Sequence, residues 1–236
     1  MEVAAVLFVA TVIRSAFGFG EALVAVPLLA LAIPVRIAAP VAVLVSITVA
    51  LVVVAQDWRH IHLRSAVWLI VPTFFGIPLG LMALKKIPEP AVKAALAIII
   101  IGFSLWSLAR HAHFELKNER LAGVFGFVAG ILGGAYGMNG PPLAMYGSLR
   151  RWPPANFRAT LQGYFLPASV AGMAGYRISG LWTAEVNRFF VWSLPGVFVA
   201  IFLGRELNKR MHPQRFIRYV HVGLIAIGTI LLAQAL

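Results

Sequence analysis

No cysteine occurs in the 236 residues, which excludes disulfides, thiolate nucleophiles and Cys-based metal sites together. Charge is also scarce: 12% of residues are Asp, Glu, Lys or Arg, where a soluble domain carries about 25%. Acidic residues are the scarcest, 8 Asp and Glu against 20 Lys and Arg, for a formal net charge of +12. In a soluble chain that balance points to nucleic acid. Here the basic residues fall in short connections between apolar runs, and none forms a basic stretch with interleaved aromatics. Membrane topology is written that way, so no nucleic-acid partner is expected. No Ser–His–Asp arrangement, phosphate loop or pair of intramembrane carboxylates is present, so no enzyme and no cofactor is expected. "HIH" at 60–62 and "HAH" at 111–113 have the spacing of metal pairs, but no neighbouring cluster completes four ligands, and no metal is expected. The start, "MEVAAVLFVATVIR", lacks a basic leader and a small-residue cleavage site and reads as a first membrane segment.

What fills the chain instead is apolar: 61% of residues are hydrophobic. Runs at 38–55, 65–84, 91–109, 184–204 and 216–236 approach the roughly 20 residues that span a bilayer core. The chain is therefore expected to be an all-α polytopic membrane protein with the lipid bilayer as its solvent. Trp58, Trp152 and Trp182 lie beside loops, as an interfacial belt would place them.

One stretch breaks the pattern. "GILGGAYGMNGPPLAMYG" (130–147) crowds glycines and two adjacent prolines into a region that should be helix. Laid over the first half, it has a counterpart: "SAFGFGEAL" (15–23) resembles "GAYGMNGPPL" (134–143). "VRIAAP" (35–40) then matches "FRATLQ" (157–162), "IVPTFFGIPLG" (70–80) matches "SLPGVFVAIFLG" (193–204), and "KKIPEPAVK" (85–93) matches "KRMHPQRFIR" (209–218). The order is kept throughout. The sequence thus predicts a first membrane repeat (1–109), a connecting loop (110–120) and a second repeat (121–236).

Each repeat reads as a short broken or re-entrant helical hairpin followed by three transmembrane helices: 3–17 and 22–33, then 38–55, 65–84 and 91–109; 121–136 and 141–149, then 157–176, 184–204 and 216–236. The hairpin makes an even number of passages whether its arms cross or dip and return. Three further helices make the total per repeat odd, so the second repeat inserts upside down, an inverted topology. Loops near 58–64, 110–120, 150–158 and 205–218 hold more Lys and Arg than those near 36, 85–93 and 177–188. The positive-inside rule then puts both termini outside.

Backbone that leaves the helix inside hydrocarbon must be buried in protein or line a wet cavity. "YGMNGPP" reads as a stop, a turn and a fresh start at Pro141. A helix start carries partial positive charge, so two breaks facing each other near the midplane suit an anion. Gly126, Gly130 and Gly134, spaced by four, read as close helix packing. Arg14, inside an apolar arm, needs a partner or a cavity. It either pairs with Glu21 to hold the hairpin shut, or serves as an anion ligand with Glu21 as a proton carrier. Arg36 and Arg158, at matched repeat positions, are interfacial anchors or symmetric gate cations. Gln162 and Tyr164 are donors to an oxyanion or ordinary interhelical bonds.

"GILGGAYGMNGPPLAMYGSLRRWPPANFRATLQGYFL", with its counterpart "SAFGFGEALVAVPLLALAIPVRIAAPVAVL", resembles the sulfite/sulfonate exporter family TauE/SafE, also called toluene-sulfonate uptake permeases. By similarity Gly18, Gly20, Glu21, Gly137, Asn139, Gly140 and Pro141 fall at the family's glycine-rich signatures. The resemblance implies a bacterial or archaeal cell-membrane transporter for sulfite, thiosulfate, sulfoacetate or another organosulfonate, coupled to a proton or other ion and working by alternating access. A passive anion channel, a carrier for a carboxylate-like anion, a membrane enzyme and a partner subunit are the competing readings. A homo-oligomer is compatible with the sequence. A sulfur oxyanion suits converging N–H donors and a bidentate arginine.

Overall fold

The computed structural model describes the backbone of residues 2–17, 20–57, 63–109, 116, 118, 120–152, 154–210 and 213–235. Within those stretches it describes every side chain except those of residues 17, 53–57, 63–66, 154–159, 162, 208–210 and 213–217. The described residues form helices only: α1 (Glu2–Phe17), α2 (Glu21–Ala30), α3 (Val35–Asp57), α4 (Leu63–Lys86), α5 (Glu89–Ala109), α6 (Leu121–Tyr136), α7 (Gly140–Leu149), α8 (Pro154–Ile178), α9 (Ala184–Arg210) and α10 (Pro213–Ala235).

Helices α3, α4, α5, α9 and α10 each contain a window long and apolar enough to cross a membrane. Their lipid-facing sides carry Phe75, Trp192, Phe202 and Tyr219, all exposed. Apolar surface of that extent would be a liability in water and is at home in lipid. Helix α3 is the central post: 67% of its span is buried, against 22% for α10 at the periphery.

The short arms come in matching pairs. Helices α1 and α6 have 16 residues each, α2 and α7 have 10 each. At about 1.5 Å per residue the arms reach about 24 and 15 Å, less than a core of about 30 Å. Each hairpin turns on a glycine with left-handed backbone, Gly20 at φ 98° and Gly137 at φ 67°. At the second break Gly137 N–H donates to Gly133 O at 2.8 Å and Met138 N–H to Leu132 O at 3.2 Å, which ends α6. A side chain at 137 would be strained by the backbone and would also stand 2.8 Å from Val43 Cγ2.

The two arms α2 and α7 leave their breaks for opposite ends of the molecule. At the end where α2 meets α3, the Arg36 guanidinium donates to Leu84 O, Lys85 O and Ile87 O, and Glu89 accepts from Val35 N–H at 2.7 Å. Lys85 Nζ reaches Ser179 O there, in the α8–α9 turn. At the other end, where α7 finishes, Leu116 N–H donates to Leu149 O at 2.8 Å and Arg150 donates to Leu116 O.

Packing crosses between the halves of the chain. Helix α4 lies along α6, α1 along α9, α5 along α10 and α3 along α8. Interchanging the halves maps α1·α9 onto α6·α4 and α3·α9 onto α8·α4, and leaves α5·α10 and α3·α8 in place. The α4–α6 seam is built from glycine. A Cβ at Gly126, Gly130 or Gly134 would stand 2.2, 2.3 and 2.2 Å from the carbonyl oxygens of Leu69, Thr73 and Ile77. These three glycines do what their spacing of four predicts, letting backbones touch. The same contact recurs in the other seam: Gly80 faces Ile131 O and Ala135 N, while Gly204 faces Val12 O and Ala16 N.

Candidate functional site

Both breaks open onto one cavity in the interior. Its walls come from the end of α1 (Arg14), the start of α2 (Gly20 to Leu23), α3 (Ser46), the second break and the start of α7 (Gly137 to Pro141), and α8 (Phe165). The predicted residues Arg14, Gly20, Glu21, Gly137, Asn139 and Gly140 therefore meet at one place, though the chain separates them by half its length.

Arg14 and Glu21 form a buried ion pair, 3% and 2% exposed, with Arg14 Nη1 at 2.5 Å from Glu21 Oε2. The same nitrogen donates to Ser46 Oγ at 2.5 Å, and Thr11 Oγ1 donates to Glu21 Oε1 at 3.2 Å. The guanidinium also lies over the Phe165 ring, 5.3 Å from its centroid, an arrangement the ring's negative face favours. The ion pair, one of the two alternatives for Arg14, is thus present. Removing one partner of such a buried pair strands the other charge and costs about 3–5 kcal/mol.

The helix starts at the site differ in strength. Val24 N–H bonds Gly20 O, so Gly20 is the N-cap of α2 and the next three residues complete the end. All four of these residues carry N–H groups, and all four line the cavity. Around α7 the corresponding positions are Asn139, Gly140, Pro141 and Pro142. Proline has no N–H, so two of the usual four donors are missing and the Asn139 carboxamide adds a side-chain one. The positive end of α2 is the stronger, and Glu21 sits on it.

Asn139 is 6% exposed and held from behind. Its Nδ2 donates to Tyr164 Oη at 3.4 Å; Tyr164 Oη is 2.7 Å from Thr73 Oγ1, which bonds the carbonyls of Leu69 and Gly126. The carboxamide occupies the space a Cβ on Gly133 would take, 2.4 Å from Nδ2. Gly133 is therefore what admits Asn139.

Two other predicted site residues, Tyr164 and Arg36, fall elsewhere. Tyr164 does not line the cavity; its hydroxyl is spent on Asn139 and Thr73, so it positions Asn139. Arg36 donates to the last carbonyls of α4 at one end of the bundle and does not line the cavity. Gly18 lies outside the described residues, as do the side chains of Arg158 and Gln162 on α8. Trp58 and the His pairs at 60–62 and 111–113 lie outside them too. Of the remaining tryptophans, Trp152 packs edge-on against Tyr146 and Trp182 Nε1 donates to Asn187 Oδ1.

Sequence reasoning missed Thr11, Ser46 and Phe165. Thr11 stands one helical turn before Arg14, and Ser46 is a lone hydroxyl in "VLVSI", signals that a search for partners of a buried arginine would have found. Nothing local marks Phe165.

The cavity volume is about 20 Å³. A single water needs about 10–15 Å³ on this scale, so the site as it stands is closed to anything much larger. What the described residues offer is a fixed cation, amide donors from two helix starts and a carboxylate paired with that cation.

A multi-pass helical membrane protein with a charged site between two helix breaks is the class this fold defines. The chain matches the family model of the sulfite exporter TauE/SafE over residues 3–232 and belongs to that family. Neither the curated proteins nor the solved structures contain a significant match.

Proposed function

We propose that the protein is a secondary transporter for a small sulfur-containing anion such as sulfite, thiosulfate, sulfoacetate or another organosulfonate. The observation that carries this is Arg14, a buried guanidinium aimed into a cavity that both helix breaks line. In hydrocarbon such a cation is retained for a functional reason by default. Arg14, Gly20, Gly137, Asn139 and Gly140 bind the anion, with Gly18, Arg158 and Gln162 as further candidates, and Glu21 carries the coupling proton. Tyr164 serves through Asn139.

In this reading residues 1–109 and 121–236 are inverted copies that move against one another around the site. Supporting it are the equal arm lengths, the exchange symmetry of the packing pairs, the recurring Gly80 and Gly204 contacts and the opposite courses of α2 and α7. The positive-inside bias supports placing both termini outside, in what the family resemblance implies is a bacterial or archaeal cell membrane.

The test is flux of labelled sulfite, thiosulfate and sulfoacetate into liposomes holding the purified chain. Uphill accumulation that collapses with a protonophore is expected. Conductance that follows voltage alone would replace the carrier with a passive channel. Accumulation of carboxylates in preference to every sulfur anion would replace the substrate class, and conversion of substrate by pure protein would make it an enzyme.

A further inference from the structure

The charges at the site are few enough to count. Among the described residues the buried Asp, Glu, Lys, Arg and His side chains are Arg14, Glu21 and His221. His221 is on α10, where its ring nitrogens meet Ser107 Oγ at 2.8 Å and Ser104 Oγ at 3.3 Å on α5, so it faces away from the cavity. Around Glu21, α1 presents Arg14 and Thr11, α3 presents Ser46, α7 presents Asn139, and α8 presents Phe165. Glu89 of α5 is engaged with Val35 at one end of the bundle. Under the repeat alignment the second half supplies no matching charge, since Gly133 stands opposite Arg14 and Gly140 opposite Glu21. The described residues therefore give the closed site one guanidinium and one carboxylate, a net charge of zero.

An anion entering that site with both groups ionised would leave a net negative charge in a low-dielectric interior, where charge is expensive. It would also compete with Glu21 for the same Arg14 nitrogen, which already serves Glu21 and Ser46. Protonating Glu21 removes both obstacles. The carboxyl releases Arg14, gains an O–H that can donate to the incoming oxyanion, and restores neutrality if the anion carries a single negative charge. A dianion would leave the site one charge negative even then. On the return, a protonated Glu21 beside Arg14 without an anion would bury a net positive charge, so the proton leaves with the anion.

Resting on the transporter reading above, we propose that the site binds singly charged oxyanions, together with one proton taken up from water by Glu21, so that anion and proton cross as a neutral pair. Arg14, the cation that the described residues place in the cavity, sets the limit of one negative charge; of the anions named above this favours hydrogensulfite and simple organosulfonates over thiosulfate and sulfoacetate, which carry two charges near neutral pH.

Methanesulfonate, always singly charged near neutral pH, and sulfate, always doubly charged there, are the probes. Calorimetric titration of the detergent-purified chain in two buffers of different ionisation heat reads the protons taken up on binding. The expected result is one proton per methanesulfonate, affinity falling about tenfold per pH unit once Glu21 is ionised in the free protein, and sulfate binding at least about a hundredfold weaker because it leaves an uncompensated buried charge. In liposomes, methanesulfonate flux is expected to be indifferent to a potassium–valinomycin potential. E21Q is expected to bind methanesulfonate with no proton uptake and no pH slope. Should that variant misfold, the proton count on the unaltered protein still decides. Methanesulfonate binding without proton uptake, or sulfate binding equally well, overturns the neutral-pair proposal and leaves the anion transporter standing. Failure of both probes and of sulfite to bind at acid or neutral pH removes the anion reading and this proposal together.

Discussion

Alanine in place of Gly80 tests the tightest of the glycine approaches described above. Its Cβ would lie 2.1 Å from Ile131 O and 2.7 Å from Ala135 N, whereas ordinary contact begins at 3.4 Å. The obstructing atoms are backbone, so no rotamer change relieves them, and α4 and α6 must part by about 1 Å along the seam, an overpacking that costs about 1–3 kcal/mol. Alanine's better helix propensity returns about 0.5–1 kcal/mol. Because a rigid obstruction belongs at the upper end of the range, the net loss is about 2 kcal/mol, and for a chain of this size that lowers the melting temperature by about 4–8 °C. Gly204→Ala, which meets Val12 O at 2.5 Å and Ala16 N at 3.1 Å, should fall by a smaller amount of the same sign. Gly102→Ala, with nothing within 4 Å of the new methyl group, should be neutral or slightly stabilising. Tryptophan-fluorescence melts in detergent distinguish the three. A Gly80→Ala protein that melts with the wild type would show that these helices do not approach as closely as described.

Arg14→Ala should lower flux by at least about tenfold per folded molecule, since it removes the buried guanidinium that lines the site. It also strands Glu21, so Arg14→Ala/Glu21→Ala should recover the stability that the single change loses without recovering flux, read by melts beside transport; a recovered flux would remove Arg14 from the site. Tyr164→Phe deletes the hydroxyl that steadies Asn139 and should cost about 1 kcal/mol of stability, with a rise in KM larger than any fall in kcat; unchanged KM would make the network purely structural. Arg36→Ala should lower the melting temperature through the lost caps on α4 while leaving KM where it was, and a changed KM would return Arg36 to a gating role.

Much of the fold could be read directly from the residues. Predicted and observed bounds coincide for α6, at 121–136, and differ by a few residues at most other helix ends, because glycine, proline and basic residues punctuate the apolar runs so sharply. The larger difference is at α9, which continues to Arg210 past the expected stop at 204; Gly204 proved to be a packing residue inside the helix, and a Pro at 213 follows instead. The breaks and the Arg14–Glu21 pair were also legible, since a buried arginine in an apolar arm leaves few possible partners. Partners across the chain were not. Periodicity shows that α4 and α6 each have a glycine face but not that the faces meet, and it cannot distinguish Tyr164 pointing into the cavity from Tyr164 braced against Thr73. Arg36 was ambiguous for the same reason: its partners are the carbonyls of a helix end nearly fifty residues away, which leave no mark on its own neighbourhood.

The exchanged pairing of the halves has a bearing on how the protein is made. Helix α1 emerges from the ribosome long before α9, and α4 before α6, so each enters the bilayer with its closest-fitting groove still unfilled. Neither half can reach its final form first. The two should accordingly complement one another when synthesised as separate chains, and a cell producing the first half alone should recognise it as unfinished and degrade it.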